Sequence, residues 1–332
     1  MRVRGLLRKV PGARRIYRTL HLSDLEVSLR RWWSGRVRRR AAERRPGQGK
    51  PIRNFSLEYA VIGRNDDHTP DWLLKLESTI VYNRSLFAGS GIDFRVAFVE
   101  WNPPQDRPVL APYLIDKYPF LRAVVVDRNI HDDLCRGKSM NMLFSFPWNA
   151  AIRSSETDFI LISCAEDYLG TDAARWLVRR GLRRRCLYRA VRVDIRRDLD
   201  FSRPDATVIE AQTNVVRVNG VGEPPYFIAC GDFMLMDRVS MQRIGGFDET
   251  LPLAASHIDS RLCASAMSLG LGCRLVGHVY HIDHDNTFVH FGEKGDLAWQ
   301  DAMSNLPYKN PETWGLRDRH WTKSGERLSH VS

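Results

Sequence analysis

Between residues 57 and 162 short apolar runs alternate with segments of helical spacing, and this alternation constrains the fold more than any other feature of the chain. Residues 59–62 read as a buried strand that stops at Gly63-Arg64-Asn65-Asp66-Asp67. The spacing then predicts a helix over 71–86 and a strand over 93–99 that ends at Glu100-Trp101-Asn102-Pro103-Pro104. A third strand over 122–126, a helix over 140–153 and a fourth strand over 158–162 follow, the last halted at Ser163-Cys164-Ala165-Glu166-Asp167. Strands alternating with helices imply an α/β fold, a mostly parallel sheet with helices on both faces. In such sheets ligands bind beyond the carboxyl ends of the strands. Those ends carry Arg64-Asn65-Asp66, Glu100 and Glu166-Asp167, so three polar clusters converge on one rim.

The second half is less regular and reads as a smaller mixed sheet. Residues 187–195 and 206–218 read as strands, the second at an edge, and 220–225 as a turn-rich loop. A strand over 233–236, a helical turn over 240–244, a helix over 254–269 and one or two short strands over 274–280 complete it. From residue 292 the chain is polar, with Trp299, Trp314 and Trp321, and is expected either to wrap the body or to be partly loose.

At 332 residues the chain can bury an ample core as one large domain or two small ones. No run of about 18 apolar residues occurs, and the basic N-terminus lacks the apolar stretch of a signal peptide. Six cysteines lie far apart without a Cys-x-x-Cys pair, which excludes zinc-ribbon and thioredoxin-like sites and suits free thiols. The net charge of +11 is concentrated: residues 1–50 carry sixteen Lys and Arg against three Asp and Glu, a surplus larger than that of the whole chain. The body is therefore slightly acidic, which argues against a nucleic-acid cleft. Within the arm Leu22, Leu25, Leu29, Trp32 and Trp33 fall at helical spacing among arginines. That pattern suits an anionic membrane surface contacted through residues 1–45, with a protein that is cytoplasmic and peripheral on the inner face of the membrane; a solvated tail, or a helix docked on its own domain, is the alternative.

Several residues carry chemistry. Glu166 and Asp167 end a buried strand, where hard oxygen ligands suit Mg²⁺ or Mn²⁺; a helix cap is the alternative, with Thr171 better placed for it. Asp259 lies early on a helix, where a carboxylate either complements the helix dipole or serves as a general base, with His257 beside it. His281 and His284 are three apart and face one metal together only if the strand turns there, so one ligand and one supporting group is the expectation. No Gly-x-Gly-x-x-Gly fingerprint or P-loop occurs, and the Asn- and Asp-rich loop after the first strand suits either turn formation or nucleoside binding.

Taken in order, Ala60-Val-Ile-Gly-Arg-Asn-Asp66, Val99-Glu-Trp-Asn-Pro-Pro104, Asn149-Ala-Ala-Ile-Arg153, Asp158-Phe-Ile-Leu161, Gly231-Asp-Phe-Met-Leu235, Gly245-Gly-Phe-Asp-Glu249 and His257-Ile-Asp259 resemble a GT-A-fold, family-2-like glycosyltransferase across residues 57–290. The resemblance implies inverting transfer of a sugar from a nucleotide-sugar donor to a glycan or lipid-linked acceptor. It implies Asp259 as catalytic base, and Arg64, Asn65, Asp66, Glu100 and Asn149 at the donor. Gly231 and Asp232 would border the acceptor, and Asp167, Glu166 and His281 would attend a divalent metal, Mn²⁺ or Mg²⁺. Ala165 stands where the first acid of the Asp-x-Asp metal motif is expected. The domains implied are an arm and linker (1–50), a GT-A-like body (51–290) with a donor half over 57–183 and an acceptor half over 184–290, and a tail (291–332). A non-catalytic GT-A-like protein that binds a glycan or nucleotide is the rival reading.

Overall fold

The computed structural model describes residues 50–66, 71–135, 142–220, 225–227, 230–251, 257–283, 303–324 and 327–332. The expected membrane arm, Asp67, His284 and Trp299 lie outside them. The first half runs β1 (Ser56–Gly63), α1 (Trp72–Ser85), β2 (Asp93–Trp101), α2 (Leu110–Lys117), β3 (Leu121–Val126), α3 (Arg128–Cys135), α4 (Ser145–Ser154), β4 (Phe159–Ile162), β5 (Asp167–Leu169) and α5 (Thr171–Arg180). The second runs β6 (Cys186–Ile195), α6 (Ala206–Ile209), β7 (Val215–Val218), β8 (Met234–Asp237), α7 (Arg238–Ile244), α8 (Ile258–Ser268), β9 (Gly272–Ile282), β10 (Trp321–Ser324) and β11 (Leu328–Val331).

All these strands join one sheet in the order β10-β11-β3-β2-β1-β4-β8-β6-β9-β5, with β7 beside β6. From β11 to β4 every pairing is parallel; β8, antiparallel to both β4 and β6, carries the sheet into its mixed half. Alternation along β1 divides two cores. Leu57, Tyr59 and Val61 pack with Trp72, Leu76 and Ile80 of α1, while Ala60 and Ile62 pack with Trp148 and Ile152 of α4 and Leu262 of α8. The result is the three-layer, partly parallel α/β architecture that the sequence pattern implies.

Strand order reverses at β1, which is flanked by β2 on one side and β4 on the other. A topological switch point therefore opens between the carboxyl ends of β1 and β4, the place where open α/β sheets bind ligands. Gly63 closes the first of these ends. A Cβ there would lie 2.3 Å from the Trp72 ring, so only glycine lets the chain leave β1 beneath that indole.

Several elements differ from expectation. Residues 206–218 are not one strand: the Asp205 carboxylate accepts from the Thr207 amide at 2.6 Å and caps the short helix α6, so only Val215–Val218 pairs with β6. Helices α2 and α3 were not legible in the sequence. Residues 274–280 belong to one eleven-residue strand, β9. The segment expected as a tail contributes β10 and β11, and β11 extends the parallel sheet beside β3. No helix among the described residues is long and apolar enough to cross a membrane.

Candidate active site

The loop that follows β4 is anchored from three sides. Tyr59 donates its hydroxyl toward the Cys164 carbonyl at 2.9 Å, Thr79 toward the Ala165 carbonyl at 2.8 Å, and Asn83 its amide to the Asp167 carbonyl at 2.9 Å. Asn83 also accepts from the Leu169 amide at 2.8 Å. The next three residues, β5, pair antiparallel with β9, which sets Asp167 opposite His281. The backbone that presents Asp167 is thus fixed before any ligand arrives.

Asp167 is fully buried. Its Oδ2 accepts from the Cys164 amide at 2.7 Å and lies 2.9 Å from the Ser163 hydroxyl, whose proton is shared with the Asp232 carbonyl at 2.6 Å. Its Oδ1 is buried with no hydrogen-bond partner among the described residues. Burial, and after it the charge of Asp232, push the Asp167 carboxyl well above the usual carboxylate range. Cys164 Sγ and one carboxylate oxygen each of Asp167 and Asp232 lie within 4.8 Å of one another.

Strand β6 supplies the counter-charge. Buried Arg192 donates Nε to Asp194 Oδ1 at 2.5 Å and reaches the two Asp232 oxygens at 3.2 and 3.3 Å. A second guanidinium nitrogen stands 2.9 Å from His281 Nδ1. Burial alone would raise Asp194, but His281, Arg192 and Asn219 together hold it well below the usual range. Arg192 is itself held strongly protonated, as Asp232 and Asp194 outweigh its burial.

A single 3₁₀ turn, Cys230–Asp232, joins this cluster to Asp259. At one end Asp232 meets Arg192 and Ser163; at the other the Gly231 amide donates to Asp259 Oδ2 at 2.8 Å. Asp259 Oδ1 accepts from the Ser260 amide at 2.7 Å in the first turn of α8, and its carboxylate remains partly exposed. His257, which precedes this helix at a φ of 62°, turns the chain into it.

The other expected site residues have definite and different places. Arg64 donates Nε to the Asn102 carbonyl at 2.6 Å and a terminal nitrogen to Asp66 at 2.8 Å, while Asn65 donates to the Pro108 carbonyl at 3.0 Å. These three tie the ends of β1 and β2 together at the rim. Glu100 does not face it: both carboxylate oxygens, fully buried, accept from the Leu110 and Ala111 amides at 2.9 and 2.8 Å and cap α2. Asn149 is likewise committed within the fold, for its side chain bonds the Phe247 amide and carbonyl and Glu249. Glu166 faces Lys75 at 3.7 Å and His281 faces Arg192, so both stand apart from the cluster of three ligand atoms. The cap of α5 is the backbone of Gly170 rather than Thr171.

Cys164, Ser163, Arg192 and Asp194 are the residues of this site that sequence reasoning missed. The signal for the pair on β6 was present: Arg192 and Asp194 stand two apart, hence on one face, inside a strand whose only other charged residue is Arg189, and buried charges demand partners. Cys164 was passed over because no second cysteine stood at metal-binding spacing.

No protein-family model matches the chain, and no curated protein matches it. Among solved structures it is similar to the mannosyltransferase PcManGT from Pyrobaculum calidifontis in complex with GDP-Man and Mn²⁺, at 12% identity and a TM-score of 0.43 over 81% of this chain and 68% of that one. It is also similar to the catalytic domain of Drosophila beta1,4galactosyltransferase 7 in complex with xylobiose, at 9% identity and a TM-score of 0.42 over 83% of this chain and 92% of that one. Likeness at this level does not transfer an activity.

Proposed function

We propose that the chain is a glycosyltransferase that moves a sugar from a nucleotide-sugar donor to a hydroxyl of a glycan, a lipid-linked sugar or a similar acceptor, with inversion at the anomeric carbon. One observation carries this reading: a buried carboxylate, one oxygen of which has no partner among the described residues, stands at the switch point of the sheet, and a single turn links it to a second, partly exposed carboxylate. A structural role for Asp167 would satisfy both of its oxygens. The orphaned Oδ1, on a carboxylate that lies close to Cys164 Sγ and to Asp232, fits a cation instead.

In this reading the acceptor hydroxyl approaches Asp259 and attacks the anomeric carbon as the bond to the diphosphate breaks; the hydroxyl proton passes to the carboxylate. The Gly231 and Ser260 amides fix the rotamer of Asp259 and leave lone pairs for that proton. Asp167 and Asp232 would hold a divalent cation, which supplies charge stabilisation to the departing nucleoside diphosphate. Arg192 adds fixed positive charge beside Asp232. Arg64, Asn65 and Asp66 would meet the nucleoside at the mouth of the cleft. The arm would bring the enzyme to an anionic membrane surface.

Release of nucleoside diphosphate from a panel of nucleotide-sugars with Mn²⁺, with water as the acceptor, tests the reading. Turnover of one donor supports it, and inertness toward every donor, offered with candidate glycan acceptors, refutes it. The second reading, a binding protein without chemistry, is favoured by Ala165 and by the guanidinium already set against Asp232. It predicts saturable nucleotide or glycan binding without turnover.

A further inference from the structure

The residues at the mouth of this cluster are not all oxygen donors. Cys164 stands at the strand end with its backbone held at both sides: its amide donates to Asp167 Oδ2 at 2.7 Å and its carbonyl accepts from Tyr59 at 2.9 Å. The residue is half-buried, its thiol is free, and its Sγ lies within 4.8 Å of carboxylate oxygens from both Asp167 and Asp232. A cluster of acids and a thiol is not in itself a site. Independent of it, however, Asp167 Oδ1 is a fully buried oxygen that no donor among the described residues reaches. Arg192 does not close the gap, for its short contact is with Asp194 at 2.5 Å and its reach to Asp232 is longer.

We propose that Cys164 is the third protein ligand of a divalent cation held by Asp167 and Asp232, and that its sulfur biases the site toward borderline metals such as Zn²⁺ and Co²⁺, and toward Mn²⁺ over Mg²⁺. Carboxylates alone form a hard site that Mg²⁺ fills readily, whereas a thiolate favours softer ions. Coordination replaces the S–H bond by a sulfur–metal bond and delivers the proton to solvent. Three protein ligands also leave positions open for oxygens of a diphosphate. This deepens the metal role within the proposed function, yet it concerns binding alone and is tested without donor or acceptor.

The test is a Co²⁺ titration of the metal-free protein followed by absorption. One equivalent should develop a near-ultraviolet thiolate-to-cobalt charge-transfer band together with visible ligand-field bands. Cys164→Ser should keep its fold by circular dichroism, lose the charge-transfer band, and still bind Co²⁺ through the two carboxylates with affinity lower by about tenfold or more. Asp167→Asn and Asp232→Asn should each lose most of the binding. In competition Zn²⁺ should displace Co²⁺ at far lower concentration than Mg²⁺, and the gap should narrow in Cys164→Ser. A charge-transfer band that survives in Cys164→Ser, its absence from the wild type, or binding undiminished in Asp167→Asn would each overturn the assignment. Absence of the band together with donor turnover removes Cys164 but not the transferase; a Cys164-dependent band without any turnover does the reverse.

Discussion

Replacing Asp167 by asparagine separates a residue that builds the fold from one held ready for a ligand. In the folded chain the carboxylate is fully buried, its Oδ2 satisfied by Ser163 and Cys164, its Oδ1 without a partner among the described residues, with the Asp232 carboxylate close by. An asparagine of the same shape can keep its oxygen on the Ser163 and Cys164 donors and turn its amide toward the Asp232 carboxylate. The swap removes an unsatisfied buried acceptor and a like-charge contact, a relief of about 1–3 kcal/mol. At roughly 2–4 °C per kcal/mol for a body of this size, Asp167→Asn should melt several degrees above the wild type in metal-free buffer. The sign with pH follows from the raised carboxyl. Its favourable protonated state is available to the folded chain below the ordinary aspartate value of about 3.9, and that contribution fades as pH climbs through the higher folded value. The advantage of the asparagine should therefore be absent in acid and grow toward neutral pH. Mn²⁺ should raise the wild-type midpoint and leave that of Asp167→Asn unchanged. Differential scanning calorimetry with and without chelator reads both effects. A metal-free midpoint well below the wild type would refute the reasoning, because it would make Asp167 a structural keystone.

Other outcomes can be checked more briefly. Asp259→Asn should bind nucleotide as the wild type does and lose turnover by roughly 10²-fold or more, measured as kcat against Kd; full activity would remove Asp259 from the chemistry. Gly246→Ala should destabilise by several kcal/mol in denaturant melts, since Gly246 sits at a φ of +67° and a Cβ there would lie 2.1 Å from Asn149 Oδ1; a neutral effect would contradict the packing. Glu249 is pushed up to about 7, by burial foremost and against its bonds to Asn149 and Gly315. Its contribution is complete below the usual glutamate value, about 4.3, and lost as pH passes 7, so Glu249→Gln should flatten the fall in stability across that window by up to about 3 kcal/mol. Removing residues 1–45 should abolish sedimentation with anionic vesicles, and equal binding by the shortened chain would reject the membrane role.

The strands β1 to β4 were legible because a buried parallel strand has no choice but to be a continuous apolar run, and each such run ended in polar residues. Their order was not, since nothing local says that β4 lies beside β1 and β8 beside β4. Asp167 and Asp259 stood out as acids at element ends, where packing gives no reason for them. Glu100 stood out on the same ground and is a helix cap, because the amides that it satisfies lie ten residues onward in a helix the periodicity did not reveal. Asn149 misled in a similar way: its partners, Phe247 and Glu249, are about a hundred residues distant. Cys164 was hidden for the opposite reason. A lone thiol without a second cysteine at metal-binding spacing is ordinary in sequence, and its nearness to Asp232 arises only when the Cys230–Asp232 turn docks on the end of β4.

The central claim is that one cleft joins Asp167 to Asp259 around a sugar diphosphate. Anomalous diffraction from a crystal equilibrated with Mn²⁺ and a nucleoside diphosphate tests it most directly. A manganese peak should appear coordinated by Asp167 and Asp232, with the diphosphate bound to it and its free end directed toward Asp259. A peak elsewhere, or a diphosphate in a cavity that Asp259 does not border, would contradict it.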